Sequence, residues 1–256
     1  MQPGLSKIGR MLAAGLATMV FAGCSAGPSP ATSAAAPLVG EECPDLVDGG
    51  TQVRFTDAHG AELTGVTLGT GRTGVVLAHM SDGDVCGWLA YARQIARDGY
   101  RVMVFYFHGF GTSGGADGST LDGDVLAAAE YLRGHGAQPI ALLGASMGGT
   151  ASLVAATELR PPPAVVISLS APKYYQGLDA LAAAAKLTVP VLYAAGVSDN
   201  DYADQAQALY DATPGTDRTI LLAPTTAHGT GMVGAPGSQV RDAMDKALRE
   251  RAPAGG

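Results

Sequence analysis

The chain has 256 residues, of which 47% are hydrophobic and 15% charged, and its formal net charge at pH 7 is −7. This length and composition allow one large domain with a substantial core, rather than two domains. Lysine and arginine form no run long enough to follow a phosphate backbone, so a nucleic acid is not expected as a partner.

The first 23 residues are typical of an export signal. Lys7 and Arg10 precede an apolar stretch, residues 11–23, that is too short to span a bilayer and ends in small side chains. The segment VFAGC resembles the lipobox of bacterial lipoproteins, with Cys24 as the first mature residue. This resemblance implies a thioether-linked lipid on Cys24 that holds the protein at the outer face of the cytoplasmic membrane. Cleavage near Ala22 to give a soluble secreted protein is the alternative.

Residues 24–48 are predicted to be a lipidated flexible tether, because they begin with a small, proline-rich, uncharged stretch that buries little. The folded domain is expected over residues 49–251. With Cys24 assigned to lipid, Cys43 and Cys86 remain, and an oxidising compartment allows them to form a disulfide. Two separate buried thiols are the alternative. No metal-ligand spacing such as C-x-x-C is present, so no metal site is predicted.

After residue 50 the sequence alternates between strand and helix patterns. The predicted strands are 51–57, 61–69, 74–80, 101–107, 139–144, 164–170, 189–196 and 218–223, the first two as a hairpin. The predicted helices are 85–99, 121–136, 147–159, 177–187, 203–213 and 240–250. This alternation predicts an α/β fold with a mostly parallel central sheet and helices on both faces. Ligands of such sheets bind at the carboxyl ends of the strands.

Two segments match Gly-x-Ser-x-Gly, a pattern that holds a nucleophilic serine on a sharp turn between a strand and a helix. Ser113 follows a strand that ends near Phe107 and lies inside a long loop. Ser146, in IALLGASMGG, has a buried strand directly before it and a helix directly after it. Only the second context makes the tight turn, so Ser146 is the predicted nucleophile. The small residues at 144, 145, 148 and 149 are expected to prevent collisions there.

A serine hydroxyl is a poor nucleophile until a base takes its proton. His228 follows the last predicted strand, in a loop that can fold over the edge of the sheet, and is the predicted base. His79 and His108 follow other strands and are the alternatives. His59, in a hairpin turn, and His135, at a helix end, are expected to be solvated.

The base needs a carboxylate that fixes its tautomer and stabilises the imidazolium. Asp199 lies three residues past Gly196, at the end of a strand, and is the predicted acid. Asp201 and Asp204 are the alternatives, although acidic residues also favour the start of the next helix for electrostatic reasons. The chain order serine, aspartate, histidine is that of α/β-hydrolases.

From about residue 50 to 250 the sequence resembles a compact α/β-hydrolase of the dienelactone hydrolase-like and short esterase type. LLGASMGG resembles the nucleophile turn of that family, and the Met147 N–H is the expected oxyanion donor. VLAHMSDGD resembles the segment that supplies the second donor; with Met80 in place of a glycine, the resemblance implies the Ser81 N–H, with that of Met80 as the alternative. VFYFHGFGTSGG resembles the family's D-x-R-G-x-G-x-S loop, which implies a structural role for Ser113.

Only residues 171–188 separate the two strands between which related enzymes insert a cap, so no cap domain is expected. The site should then be open. Four residues are candidates either for lining it or for packing in the core or on the surface: Trp88, Tyr174, Tyr175 and Met232.

These features together predict a serine hydrolase that cleaves a carboxylic ester or related small acyl compound outside the cytoplasm, without a cofactor. A thioesterase, a peptidase-like enzyme or an acyltransferase would use the same residues. A lipid-anchored binding protein without catalysis is a further alternative. The sequence specifies neither the acyl and alcohol groups nor the oligomeric state.

Overall fold

A computed structural model describes Val39, Cys43 and residues 49–82, 85–234 and 238–255. The predicted signal peptide, Cys24 and most of the predicted tether lie outside these residues.

An eight-stranded sheet forms the centre of the domain, and a two-stranded hairpin accompanies it. The strands are β1 (Thr51–Thr56), β2 (Glu62–Leu68), β3 (Gly74–Ala78), β4 (Arg101–Phe105), β5 (Ile140–Ala145), β6 (Val165–Leu169), β7 (Tyr174–Tyr175), β8 (Leu178–Asp179), β9 (Val191–Gly196) and β10 (Arg218–Ala223). The order in the large sheet is β1-β2-β4-β3-β5-β6-β9-β10. β2 pairs antiparallel with β1 and β4, and all later neighbours in the order are parallel.

Six helices connect the strands of the described residues. They are α1 (Leu89–Arg97), α2 (Leu121–Gly134), α3 (Met147–Glu158), α4 (Ala180–Ala184), α5 (Tyr202–Ala212) and α6 (Gln239–Arg251), and 3-10 turns cover Val85–Trp88 and Gly229–Met232. None of these helices is long and apolar enough to cross a lipid bilayer.

The sheet separates two apolar cores, which explains why the parallel strands are apolar along their whole length. In β3, Val75 and Leu77 pack into the core that contains α1 and α6, whereas Val76 packs into the core that contains α2, α3 and α5. Successive side chains of a strand point to opposite faces, so both halves of the pattern must be apolar. The predicted mostly parallel sheet with helices on both faces is confirmed.

The prediction of one helix over 177–187 is wrong. The segment begins as the β7–β8 hairpin, whose turn residues Gln176 and Gly177 have φ of 46° and 88°. Only the five residues of α4 are helical, and Asp179 caps them by accepting a hydrogen bond from the Ala182 N–H at 2.8 Å. No larger insertion separates β6 from β9, so there is no cap domain at this point of the described chain.

A disulfide joins Cys43 to Cys86, with the two Cα atoms 5.7 Å apart. Cys86 lies in the 3-10 turn that precedes α1, and Cys43 comes before the first strand. The bond therefore attaches the start of the described chain to the segment between β3 and α1.

Candidate active site

Ser146 lies between β5 and α3, at the carboxyl end of a central strand. Its backbone has φ 49° and ψ −118°, and its N–H donates to the Leu169 carbonyl oxygen at 2.8 Å. A positive φ is strained for a residue with a side chain, and such residues concentrate at functional sites. The side chain is only 6% exposed. The turn therefore holds the hydroxyl at the edge of the sheet, as the glycine-serine-glycine pattern predicts.

The glycines around Ser146 are required by close backbone contacts. A Cβ on Gly144 would overlap the Gly148 carbonyl, and a Cβ on Gly148 would lie 2.6 Å from the His79 carbonyl oxygen. A Cβ on Gly149 would lie 2.9 Å from the Ala171 Cβ. The predicted reason for the small residues at this turn is thus confirmed.

Buried Asp199 and partly exposed His228 form a carboxylate–imidazole pair at the same edge of the sheet. Asp199 lies in the turn after β9 and is 4% exposed. Its Oδ2 atom is 2.7 Å from His228 Nδ1. This bond leaves the Nε2 atom of the ring free to act on a neighbouring hydroxyl.

Ser170, which the sequence analysis did not select, connects this pair to the backbone. It follows β6 with φ 45° and is completely buried. Its hydroxyl donates to Asp199 Oδ2 at 2.9 Å and accepts from the Gly229 N–H at 3.2 Å. Ser170 thus fixes the carboxylate and the residue after His228 together. Its place at the carboxyl end of a predicted strand was the available signal.

The loop that carries His228 packs against the nucleophile turn. A Cβ on Gly229 would lie 3.2 Å from the Ala145 Cβ, one residue before Ser146. Within the described residues, no hydrogen bond joins Ser146 Oγ to His228. Catalytic hydrogen bonds are often long in substrate-free enzymes and tighten when substrate binds.

Tyr202 is a second residue of the site that the sequence analysis missed. It is the first residue of α5, and its ring centroid is 4.3 Å from that of His228. Its hydroxyl interacts with the Ser146 hydroxyl. Burial, together with the negative charges of Asp199 and Asp201, raises the pKa of Tyr202.

The two expected oxyanion donors belong to the nucleophile turn and to the loop after β3. Met147 is the first residue of α3 and is fully buried, so its N–H belongs to the free N-terminus of that helix. Ser81 is exposed in the loop after β3. Met80 turns its sulfur toward the His228 loop, where the Thr230 hydroxyl donates to it at 3.8 Å.

His79, an alternative base, is buried in the core and occupied at both ring nitrogens. Its Nε2 atom accepts from the Phe107 N–H at 3.1 Å, and its Nδ1–H donates to the Met80 carbonyl oxygen at 2.5 Å. It therefore braces the loop that carries Met80.

His108, the other alternative base, pairs with a different carboxylate. Its Nδ1 atom is 2.7 Å from Asp124 Oδ2, and its backbone N–H donates to the same oxygen at 2.8 Å. His59 and His135 are exposed, as predicted.

Ser113 is engaged in the structure and unavailable for chemistry. Its hydroxyl donates to the Tyr106 carbonyl oxygen at 2.7 Å and accepts from the Thr64 N–H at 2.9 Å. These bonds tie the long loop after β4 to β2, as expected for a structural serine.

Two of the candidate lining residues lie in the interior instead. Trp88 is fully buried and donates its indole N–H to the Ala78 carbonyl oxygen at 3.0 Å, so it packs in the core, which was the alternative to lining the site. Met232 is buried in the same core. Tyr174 is exposed and Tyr175 is half-buried in β7.

No set of three or more histidine, cysteine, aspartate or glutamate side chains in the described ranges is arranged to hold a metal ion. Cys24 lies outside these ranges.

Comparisons with known proteins agree with this architecture. The family described as serine aminopeptidase, S33, matches residues 72–179, which is less than half of the chain and includes Ser146 but neither Asp199 nor His228. A search among curated proteins found no match.

Several solved structures share the fold at low sequence identity. An esterase of Pyrococcus furiosus is 16% identical, with a TM-score of 0.67 over 82% of this chain and 95% of its own. An esterase of Thermogutta terrifontis is 18% identical, with a TM-score of 0.63 over 78% and 98%. An enol-lactonase of Burkholderia xenovorans is 16% identical, with a TM-score of 0.60 over 77% and 98%. The chain therefore has the α/β-hydrolase fold.

Proposed function

We propose that the protein is a serine hydrolase that cleaves a carboxylic ester or a related small acyl compound. The observation that carries the proposal is the pairing of buried Asp199 with His228 in a loop packed against the strained turn of Ser146. A serine held at positive φ at the start of a helix, beside an oriented imidazole, has the parts needed for acyl transfer. The esterases and the lactonase among the structural neighbours support an ester or lactone as the substrate class.

In the proposed mechanism, Ser146 Oγ attacks the acyl carbonyl carbon while His228 Nε2 takes its proton. Asp199 holds the imidazole in the correct tautomer and stabilises its positive charge. The N–H groups of Met147 and Ser81 bind the oxyanion, and one such donor typically contributes about 10²–10³ in rate. His228 then gives its proton to the leaving alcohol. A water molecule repeats the sequence to release the acid and restore Ser146.

The test is turnover of a generic aryl ester by wild type and by Ser146→Ala. The variant should lose nearly all activity and keep its thermal midpoint, because the change removes one oxygen atom from a turn that its glycines define. Ser113→Ala is the matched control: it should lower the midpoint, since Ser113 bonds to two backbone groups, and retain turnover. Full activity of Ser146→Ala would contradict the proposal.

A substrate panel distinguishes an esterase from a thioesterase or a peptidase that would use the same residues. The panel contains an aryl ester, a thioester and an aminoacyl anilide, the last because the matching family is described as a serine aminopeptidase. We expect the highest kcat/KM on the ester. A preference for the anilide would establish the peptidase alternative instead.

We also propose that the protein is exported and anchored through a lipid on Cys24, on the basis of the VFAGC segment. Labelled palmitate fed to an expressing bacterium should enter the wild-type protein and not Cys24→Ser. Equal labelling of both, or of neither, would contradict the anchor; secretion of an unlabelled wild-type protein would favour the soluble form.

A further inference from the structure

Tyr202 is held in a fixed position relative to the proposed acid. Its backbone N–H donates to the Asp199 carbonyl oxygen at 3.0 Å, which starts α5 directly from the turn of the acid. The phenol is partly buried at the edge of the sheet. Its position therefore depends on the same turn that orients His228.

The ring of Tyr202 lies against the imidazole of His228. The ring centroids are 4.3 Å apart and the planes are inclined by 55°. An aromatic ring at this distance attracts a cation. The imidazolium that forms when Ser146 loses its proton would therefore be favoured by this ring as well as by Asp199.

The hydroxyl of Tyr202 faces the other reacting group. Against the larger effect of burial, a hydrogen bond with the Ser146 side chain lowers the pKa of Tyr202, so the two hydroxyls lie close together. The pKa of Tyr202 is raised by burial and by the carboxylates of Asp199 and Asp201, so the phenol keeps its proton at neutral pH and can donate a hydrogen bond.

We propose that Tyr202 is a further catalytic residue, whose hydroxyl donates a hydrogen bond to Ser146 Oγ while negative charge develops on that oxygen. The inference rests on the proposed function of Ser146. In acylation, the Ser146 proton passes to His228 Nε2, the bond from Oγ to the acyl carbon forms, and the bond from that carbon to the leaving oxygen breaks; the leaving oxygen takes the proton from His228, and Tyr202 keeps its own. In deacylation, water gives a proton to His228 and its oxygen bonds to the acyl carbon; the bond to Oγ breaks, Oγ leaves with the electron pair and regains a proton from His228, and the Tyr202 hydroxyl stabilises the leaving oxygen.

The test compares Tyr202→Phe with wild type on an aryl ester. The variant keeps the ring beside His228 and removes only the hydroxyl. Because a donor aimed at developing charge acts on the chemical step, kcat should fall about ten- to a hundredfold with KM changed less than about threefold. The rate at which a fluorophosphonate modifies Ser146 should fall by a similar factor, and the thermal midpoint should stay the same.

Tyr210→Phe is the matched control. Tyr210 lies on the same helix, away from the site, with Arg218 over its ring at 4.5 Å. This variant should keep the wild-type kcat and modification rate. If Tyr202→Phe also keeps them, or is faster than wild type because the phenol blocks the serine, the inference is overturned while the proposed function stands. A wild type that neither hydrolyses the ester nor reacts with the probe would overturn both.

Discussion

The described part of the chain contains two histidine–carboxylate pairs with the same nitrogen–oxygen distance and different surroundings. His228 Nδ1 lies 2.7 Å from Asp199 Oδ2, and His108 Nδ1 lies 2.7 Å from Asp124 Oδ2. Both carboxylates are buried and both histidines are partly exposed. A distance between a ring nitrogen and a carboxylate therefore does not identify a catalytic pair by itself.

What differs is the rest of each carboxylate's environment. The same Asp124 oxygen also accepts a hydrogen bond from the backbone N–H of His108, so both bonds hold the residue that carries the imidazole. The second oxygen of Asp124 has no hydrogen-bond partner in the described residues. The Asp199 oxygen accepts instead from Ser170, which also holds the His228 loop. The first arrangement holds a loop in place, whereas the second fixes an imidazole against the ring of Tyr202, in a loop packed beside the nucleophile turn.

The largest expected difference is between His228→Ala and His108→Ala. Loss of the proposed base should lower kcat/KM for an aryl ester by at least about a thousandfold. Loss of His108 should lower the thermal midpoint and leave kcat/KM within a few fold, because its partner lies outside the reacting atoms. Equal loss of activity in the two variants would contradict the distinction between the two histidine–carboxylate pairs.

Asp199→Asn should follow in size, with kcat reduced by about 10²–10⁴, because the amide favours the wrong imidazole tautomer. Asp124→Asn changes the matching carboxylate of the other pair and should keep kcat near that of wild type. Steady-state rates of the two variants on one ester measure the contrast directly, and a wild-type kcat for Asp199→Asn would remove the acid from the mechanism.

A smaller effect is expected from Ser170→Ala, which removes one bond to Asp199 and leaves the Gly229 N–H without its acceptor. A hydrogen bond to a charged group contributes about 1.5 kcal/mol, so kcat should fall roughly tenfold. Ser168→Ala is the control, since the buried Ser168 hydroxyl has no hydrogen-bond partner in the described chain. If the two variants behaved alike, Ser170 would have no positioning role.

The last effect is on stability and its dependence on pH at the second pair, with the smallest expected change in activity. Burial raises the pKa of Asp124 from 3.8 to about 6, against the opposing hydrogen bonds from His108. Because the folded pKa is the higher one, this contribution is fully present below about pH 4 and is lost as the pH rises through about 6, by an amount of order 1–3 kcal/mol. Denaturant unfolding should show Asp124→Asn gaining stability relative to wild type across that range. A constant difference between the two would contradict the raised pKa.

The sequence predicted most of the fold because the decisive signals are local. In β3 the run GVVLA is apolar at every position, which is what a strand between two cores requires. The nucleophile turn was equally readable, because a strand, a serine among glycines and a helix follow one another without interruption. The hairpin of β7 and β8 could not be predicted in this way, because the alanine-rich segment has the composition of a helix. The positive φ angles of Gln176 and Gly177 form a turn there instead.

The missed residues of the site depend on contacts between distant parts of the chain. In the sequence, Ser170 is only the last residue of a predicted strand. Its hydroxyl bonds to Asp199 and to Gly229 because the loops after β9 and β10 pack beside it in the fold. Tyr202 reads as the first residue of a helix, and its role arises where α5 meets His228. Trp88 was a candidate for lining the site and packs in the core instead, because a position near the predicted edge of the sheet does not determine which way a ring points.

The most direct test of the central claim is reaction with a fluorophosphonate probe followed by peptide mapping. The account predicts a single modified peptide that contains Ser146, formed by wild type and by His108→Ala and lost in His228→Ala. Modification at Ser113, or undiminished modification of Ser146 in His228→Ala, would contradict it.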